Sequence, residues 1–452
     1  MPFFRGAWLA QRCSTPGRNR CIETRFPPTA AISHLLARPP RVNPARPDPD
    51  TIEANADESS WRYPGWRVVA ACFGLAVCAW GFGFYGHSVY LAELARQHGW
   101  SSGLISMATS FYYLVGGILV AFTGDAIRWL GPKRFVLLGL LAMAIATALI
   151  PQVGAPWQLY CVYLLMACGW AGTSLAAIVT IVGMWFHARR GMAISLALNG
   201  ASAGSVIAVP LMVGLTAWLG FDRALPLSAL ILVALVVPML VAWVAAPPSP
   251  SAANPASAPP AQRWSRRREL ASPAFWSAAL PFALGIAAQA GFITHQIAVL
   301  EPHLGRVDAG FAVALTGASA IAGRVALSFF IDRWSPRHAA AVLLAIQAAA
   351  LMMINRGENP LLLYAACAAF GLGVGNIITL PALVVQREFP AAVFGQVTSL
   401  ATSVAGLTYA FAPAVLGILR DWTGNYAVPL YVCMGVEILA AAIALMRPRA
   451  AR

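Results

Sequence analysis

The stretches GMAISLALNGA (191–201) and GQVTSLATSVA (395–405) lie 204 residues apart and share Gly, Ser, Leu and two Ala in register. The same offset lays Tyr160 on Tyr364, Gly169 on Gly373 and Pro132 on Pro336. At an offset of 208, GFYGH (83–87) falls on GFITH (291–295), and Glu93 falls on Glu301. Self-similarity at a long fixed spacing means that one structural unit occurs twice, and it governs how everything between the copies is read.

The unit is a membrane bundle. Of 452 residues, 59% are hydrophobic and 11% charged, with a mean hydropathy of +0.67, whereas a soluble domain carries about 25% charged residues. A water-soluble globular protein is excluded. Crossing the ~30 Å hydrocarbon layer takes ~20 apolar residues, and from Trp66 onward twelve such segments follow, at about 66–92, 103–123, 135–152, 159–183, 191–218, 224–245, 274–299, 310–331, 338–354, 361–385, 395–418 and 427–446. Their runs are continuous rather than alternating with a period of two, which argues against an outer-membrane barrel. The expected fold is all-α, with twelve transmembrane helices in two six-helix bundles.

Residues 1–60, with RPPRVNPARPDPD (38–50) in the middle, cannot bury enough apolar surface to offset chain entropy and are expected to be a disordered tail, or else the product of a start codon placed too early. MPFFRGAWLA lacks an apolar stretch of signal-peptide length. The N-terminal bundle is expected over 61–245 and the C-terminal one over 274–446. Between them lies a Pro/Ala/Ser-rich linker, 246–273, and a short tail, 447–452, follows.

The net charge of +14 invites a nucleic-acid partner, but the 31 basic residues do not gather on one face. Nine precede residue 63 beside six acids, and most others flank the apolar runs. The even-numbered links hold Arg128, Lys133 and Arg134, then Arg189 and Arg190, then Arg263, Arg266, Arg267 and Arg268, then Arg333 and Arg337, then Arg387. The odd links hold single arginines, Arg96, Arg223, Arg306, Arg356 and Arg420. This asymmetry puts the even links and both termini in the cytoplasm. The expected setting is a bacterial-type cytoplasmic (inner) membrane, with lipid rather than nucleic acid as the surrounding partner. The eight cysteines show neither metal-ligand spacing nor a disulfide framework, and no metal or cofactor is expected.

At this point the chain resembles the major facilitator superfamily, over about residues 62–446. GDAIRWLGPKR (124–134) and IDRWSPRH (331–338) resemble that family's gating loops, which implies gating roles for Gly124, Asp125, Arg128, Gly131, Lys133, Arg134, Asp332, Arg333 and Arg337. The family places its Asp four residues after the first Gly, where Arg128 stands here. WFHARRGMAISLALNGASAGS (185–205), with YPGWRVV (63–69) and HGWSSG (98–103), is similar to the monocarboxylate porters and the bacterial oxalate/formate-type antiporters. His187 replaces their usual Pro and Ser195 their usual Gly.

Every basic residue belongs to the tail, a link or a helix end except Arg324 in the eighth segment. A helix-centre arginine costs about 2.5–3.5 kcal/mol on insertion scales and faces a cavity or a partner. It is either the counter-charge for an anionic substrate, the role that the resembling families give to a Gly-Arg in this helix, or half of a structural ion pair. The monocarboxylate porters add an Asp one turn earlier, where this chain has Ala320. His87 and His295 occupy matching repeat positions and suit proton coupling, substrate contact or a neutral hydrogen bond to backbone. Tyr112, Tyr113, Asn199, Gln289 and Asn376 can bond a substrate or simply join helices. Glu437, in the twelfth segment, reads as a local structural or protonated glutamate. The small-residue run NGASAGS (199–205) lets helices approach closely.

Two similar bundles joined by a linker can rock about a site between them. The expected function is secondary transport of a small, monocarboxylate-like organic anion by alternating access, with protons or a counter-anion as coupling partner and a monomer as the working unit. The alternative is export of lipophilic drugs or other small metabolites on the same fold, which needs an acidic cavity. An enzyme is not expected, and the absence of a GxxxxGK[ST] loop argues against an ATP-driven pump.

Overall fold

The computed structural model describes residues 58, 60–186, 188–244, 266–331, 333–390 and 393–446. Most of the expected tail and linker, the C-terminal six residues, His187 and Asp332 lie outside them. Among the described residues are twelve helices long and apolar enough to cross a membrane: α1 Gly65–His98, α2 Ser102–Val120, α3 Pro132–Gln152, α4 Pro156–Trp185, α5 Arg190–Leu219, α6 Phe221–Trp243, α7 Pro273–Leu304, α8 Arg306–Ser328, α9 Pro336–Arg356, α10 Pro360–Glu388, α11 Phe394–Thr423 and α12 Ala427–Leu445. Helices α5 and α11 begin 204 residues apart and both run for 30 residues, and α3 and α9 match at the same spacing with 21 each. The duplication is therefore structural as well as sequential.

Local sequence sets the ends. Pro132, Pro156, Pro273, Pro336 and Pro360 open α3, α4, α7, α9 and α10, where a missing N–H leaves nothing unpaired. Ser101 caps α2, accepting from the backbone N–H of Leu104 at 3.2 Å. Gly305, at φ 81°, turns the chain between α7 and α8 in a conformation that a side chain would strain. Inside the spans, α1 widens into a π-helical turn at Gly81–Tyr85, and α4 bends at Ser174, whose ψ is 167°. Trp157, Trp218 and Trp422 stand exposed at span ends, the place such amphipathic rings take at a membrane surface.

Within the N-terminal half α1 packs on α5 and α3 on α4; within the C-terminal half α7 packs on α11, α8 on α10 and α9 on α12. The halves meet where α2 lies along α11 and α5 along α8. Missing side chains allow that approach. A Cβ on Gly317 of α8 would sit 1.5 Å from Ser205 Oγ of α5, and one on Gly417 of α11 would sit 2.8 Å from the Ser102 carbonyl of α2. Ser205 belongs to the small-residue run of α5, so that run does border the seam.

The sequence between Phe122 and α3 is helical rather than a loop. Thr123–Leu130 forms two turns carrying Asp125 and Arg128, and Gly131 leads into α3. The chain also docks earlier than the tail boundary at residue 60 anticipates. A Glu58 carboxylate oxygen accepts from the Arg189 backbone N–H at 2.7 Å. The Tyr63 ring stands edge-on to Phe186 at 5.2 Å and its hydroxyl donates to the Trp185 carbonyl. Partial burial, and then the Glu58 charge, push the Tyr63 hydroxyl pKa above its ordinary value.

Candidate functional site

Arg324 lies one turn before the end of α8. Helical side chains lean toward their own N-terminus, so its guanidinium points back into the membrane. It reaches Gly375, deep within α10, where an added Cβ would stand 2.3 Å from Arg324 Nε. One Nη donates to Asn199 Oδ1 at 3.2 Å and the other to Ser202 Oγ, both on α5. Arg324 Nε is buried with no partner. The guanidinium therefore bridges the two halves through neutral oxygens alone, with no carboxylate bonded to it among the described residues.

The other expected site residues divide among several environments. Asn199 joins Arg324. His87 is buried, its Nδ1 3.3 Å from Tyr163 Oη, and is ringed by Tyr90, Tyr112, Tyr113 and Tyr163 at centroid distances of 4.8–5.6 Å. His87 Nε2 and the hydroxyls of Tyr112 and Tyr113 are buried without partners. Its repeat counterpart does something different. His295 Nε2 lies 3.2 Å from the Pro413 carbonyl, an acceptor only, and 3.1 Å from Ser106 Oγ of the opposite half. Nε2 thus carries the proton, and Nδ1 accepts from Tyr426 Oη at 3.1 Å when the ring is neutral.

Gln289 donates to Gln347, which donates to the Phe370 carbonyl, so both amides join helices within the C-terminal half. Asn376, beside Gly375, donates to Leu372 O of its own helix at 2.9 Å. Glu437 is fully buried with neither oxygen bonded.

At the odd-link end the halves are latched by charge. Glu93 of α1 accepts from Arg306 of α8 through both carboxylate oxygens and from Arg96 of its own helix. Arg96 also pairs with Glu301 of α7. Asp421 of α11 caps the N-terminus of α2, accepting from Ser102 N at 3.2 Å and Gly103 N at 2.7 Å. A carboxylate there is favoured by both the free N–H groups and the helix dipole. Sequence reading found the Glu93/Glu301 repeat match but not this latch, because its partners across the seam lie 205 to 319 residues apart and carry no local signal of one another.

At the even-link end, the polar bonds of the described residues stay within one half. Asp125 pairs with Arg128 on the short helix, and Lys133 donates to the Val241 carbonyl. Arg134 and Arg333 make no hydrogen bond or ion pair across the seam among the described residues. Arg337 is buried against Glu388, Ser277 and the carbonyls of Ala444 and Met446, all C-terminal. The structure is thus latched at the odd-link face, with Arg324 bridging deeper in.

Residues 71–413 match the profile of the Major Facilitator Superfamily. Monocarboxylate transporter 11 of Homo sapiens is 25% identical over 426 residues, covering 88% of this chain and 85% of that protein. MFS-type transporter 1 of an Ophiocordyceps species is 26% identical over 342 residues, 72% of each. Among solved structures, the nucleoside transporter NupG superposes with a TM-score of 0.64 at 16% identity, over 85% of this chain and 100% of that one. That last likeness speaks to the fold.

Proposed function

The chain belongs to the Major Facilitator Superfamily and is a secondary transporter rather than an enzyme, and from that premise we propose that it carries small organic anions of the monocarboxylate kind, bound through the carboxylate at Arg324. One observation carries this reading: a guanidinium held between the halves by neutral oxygens only, with Nε free. A charge in the membrane without a counter-ion costs several kcal/mol, about 2.5–3.5 on insertion scales, and an anionic cargo removes that cost while it is bound. The similarity to a monocarboxylate transporter points the same way.

Alternating access then has identifiable parts. The anion reaches Arg324 from the even-link side, which the basic links make cytoplasmic. Occupancy lets the anion share or replace the contacts that Asn199 and Ser202 of α5 already make to Arg324 of α8. Release on the far side requires the Glu93–Arg306 and Asp421–α2 contacts to part. Protons or a counter-anion supply the coupling, with a monomer in the cytoplasmic membrane as the working unit. A drug exporter on this fold would want a carboxylate in the cavity. The acids described are otherwise placed, Glu93 in the latch and Glu437 in α12. Calorimetry of the purified protein against lactate, pyruvate and acetate and their neutral amides tests the reading. The acids should bind and the amides should not, whereas equal binding of acid and amide would contradict a carboxylate at Arg324.

A further inference from the structure

Basic residues are scarce in the odd links, as topology requires, and those present at the latched end have identifiable work. Arg96 and Arg306 are taken up by the latch. Arg420, at the end of α11, is only partly engaged. Its Nη1 donates to Asp421, its neighbour in sequence, at 3.2 Å. Its Nε is buried without a partner, and Nη2 makes no hydrogen bond among the described residues. One edge of the planar fork, the Nε and Nη2 donors, is therefore unused. The guanidinium stands 5.9 Å from the centre of the Tyr426 ring, whose face attracts and places it.

Arg420 and Tyr426 border a cavity of about 290 Å³ together with Arg96 of α1, Ser102 of α2 and Glu301 of α7, so both halves contribute to it. That volume stands at the lower end of ligand pockets, ~300–1,000 Å³, and suits a small molecule. Leu91, Ala92, Ala298 and Pro302 form an apolar wall. Of the charged residues in the lining, Arg96 and Glu301 pair with each other, which leaves the charge of Arg420. Asp421, which meets Arg420, lies outside the lining and is shared with two backbone N–H groups of α2. Ser102 Oγ lies 3.4 Å from Tyr426 Oη, a long contact that its hydroxyl can give up for a better acceptor. A cationic fork, a hydroxyl and a short apolar wall are the complement of a small carboxylate.

We infer that this cavity is an outer binding station for a small carboxylate, held at the free edge of Arg420 with Ser102 donating and the carbon chain against Leu91 and Ala298. It is distinct from the Arg324 site. Arg306, which shares Glu93 with Arg96 of the lining, opens α8, and Arg324 lies near the other end of that helix. At 1.5 Å per residue roughly 27 Å separate the two, too far for one small acid to span. The identity of the anion rests on the Arg324 reading above. With that cargo, the station captures it on the odd-link side while the latch is shut and receives it there after release.

Thiol labelling at the cavity wall tests this. Ala95→Cys on α1, with Ala298→Cys on α7 as a second probe, is made in the full-length, cysteine-free protein and reconstituted. A membrane-impermeant methanethiosulfonate is then applied from the odd-link side with and without pyruvate. Pyruvate at about ten times its dissociation constant leaves about one site in eleven free, so labelling should slow about tenfold. Pyruvamide, which lacks the charge, should give no protection. Protection should persist when Arg324→Ala is added, vanish with Arg420→Gln and return in part with Arg420→Lys. Labelling indifferent to pyruvate at both positions, or slowed equally by pyruvamide, would overturn the inference, and so would protection that outlasts Arg420→Gln. Protection lost in Arg324→Ala would mean that the thiols report the inner site, and would overturn it too. Calorimetric binding of pyruvate that Arg324→Ala leaves whole and Arg420→Gln abolishes would instead sustain the station and sink the Arg324 reading.

Discussion

Replacing Glu93 by Gln should tip the carrier toward its odd-link-open form. Glu93 is the hub of the latch, since both oxygens accept from Arg306 of the opposite half while Arg96 bonds it from its own helix and reaches over to Glu301. The Glu93 side chain is 8% exposed and that of Arg306 27%, so the pair is largely shielded from water. A two-point charge-assisted contact of this kind contributes about 2–3 kcal/mol. The more exposed Arg96–Glu301 pair adds well under 1 kcal/mol, as surface pairs do. Removing the carboxylate charge should therefore shift the equilibrium between the two forms by roughly 30- to 150-fold. A latched state populated at about 99:1 would become about evenly mixed. Spin labels at the exposed positions 223 and 303, on α6 and α7 in a cysteine-free background, would report this by double electron–electron resonance. Wild type should give one short distance, and Glu93→Gln should add a longer component of comparable weight. An unchanged distribution in Glu93→Gln, and again in Glu93→Gln combined with Asp421→Asn, would refute the latch.

Three further expectations follow from named contacts. Gly375→Ala places a methyl against Arg324 Nε and within 2.9 Å of the Ala320 carbonyl, so it should raise the anion KM about tenfold (~1.4 kcal/mol) and also lower membrane abundance, measured as initial uptake rates normalised to reconstituted protein. Arg337→Met strips Glu388 and Ser277 of a buried partner. It should therefore cost about 2–3 kcal/mol of stability and show as lost abundance and a lower melting temperature in detergent rather than as a changed KM. Truncation to residue 57 should leave uptake per molecule unchanged. Truncation through Tyr63 removes the contacts to Trp185, Phe186 and Arg189 and should lower thermal stability, which a fluorescence melt would register.

The spans and the duplication were open to sequence reading because each rests on local information, the length of an apolar run and the recurrence of residues at a fixed offset. The ends were less so. Hydropathy stops at the charges of Glu93, Arg96, Glu301 and Arg306, but the helices continue, since those charges are neutralised by each other across the seam. Arg324 stands out in the sequence as a basic residue inside an apolar run, and Asn199 only as one of several polar residues able to bond a substrate or join helices. Ser202 and Gly375 carry no such mark. A serine within a small-residue run and a glycine become informative only when packing brings α5, α8 and α10 together around Arg324. The repeat placed His87 and His295 alike, yet one lies among tyrosines and the other bonds across the halves, because duplicated positions face different neighbours once the bundles pair.

The central claim is that Arg324 holds the cargo, and uptake of labelled carboxylates into proteoliposomes containing wild type, Arg324→Ala or Arg324→Lys tests it most directly. Wild type should show saturable uptake; Arg324→Ala should be inactive at equal reconstituted abundance, and Arg324→Lys should regain at most part of the rate, since an ammonium lacks the planar fork of donors that spans Asn199, Ser202 and a carboxylate. Wild-type uptake by the alanine variant would contradict the account.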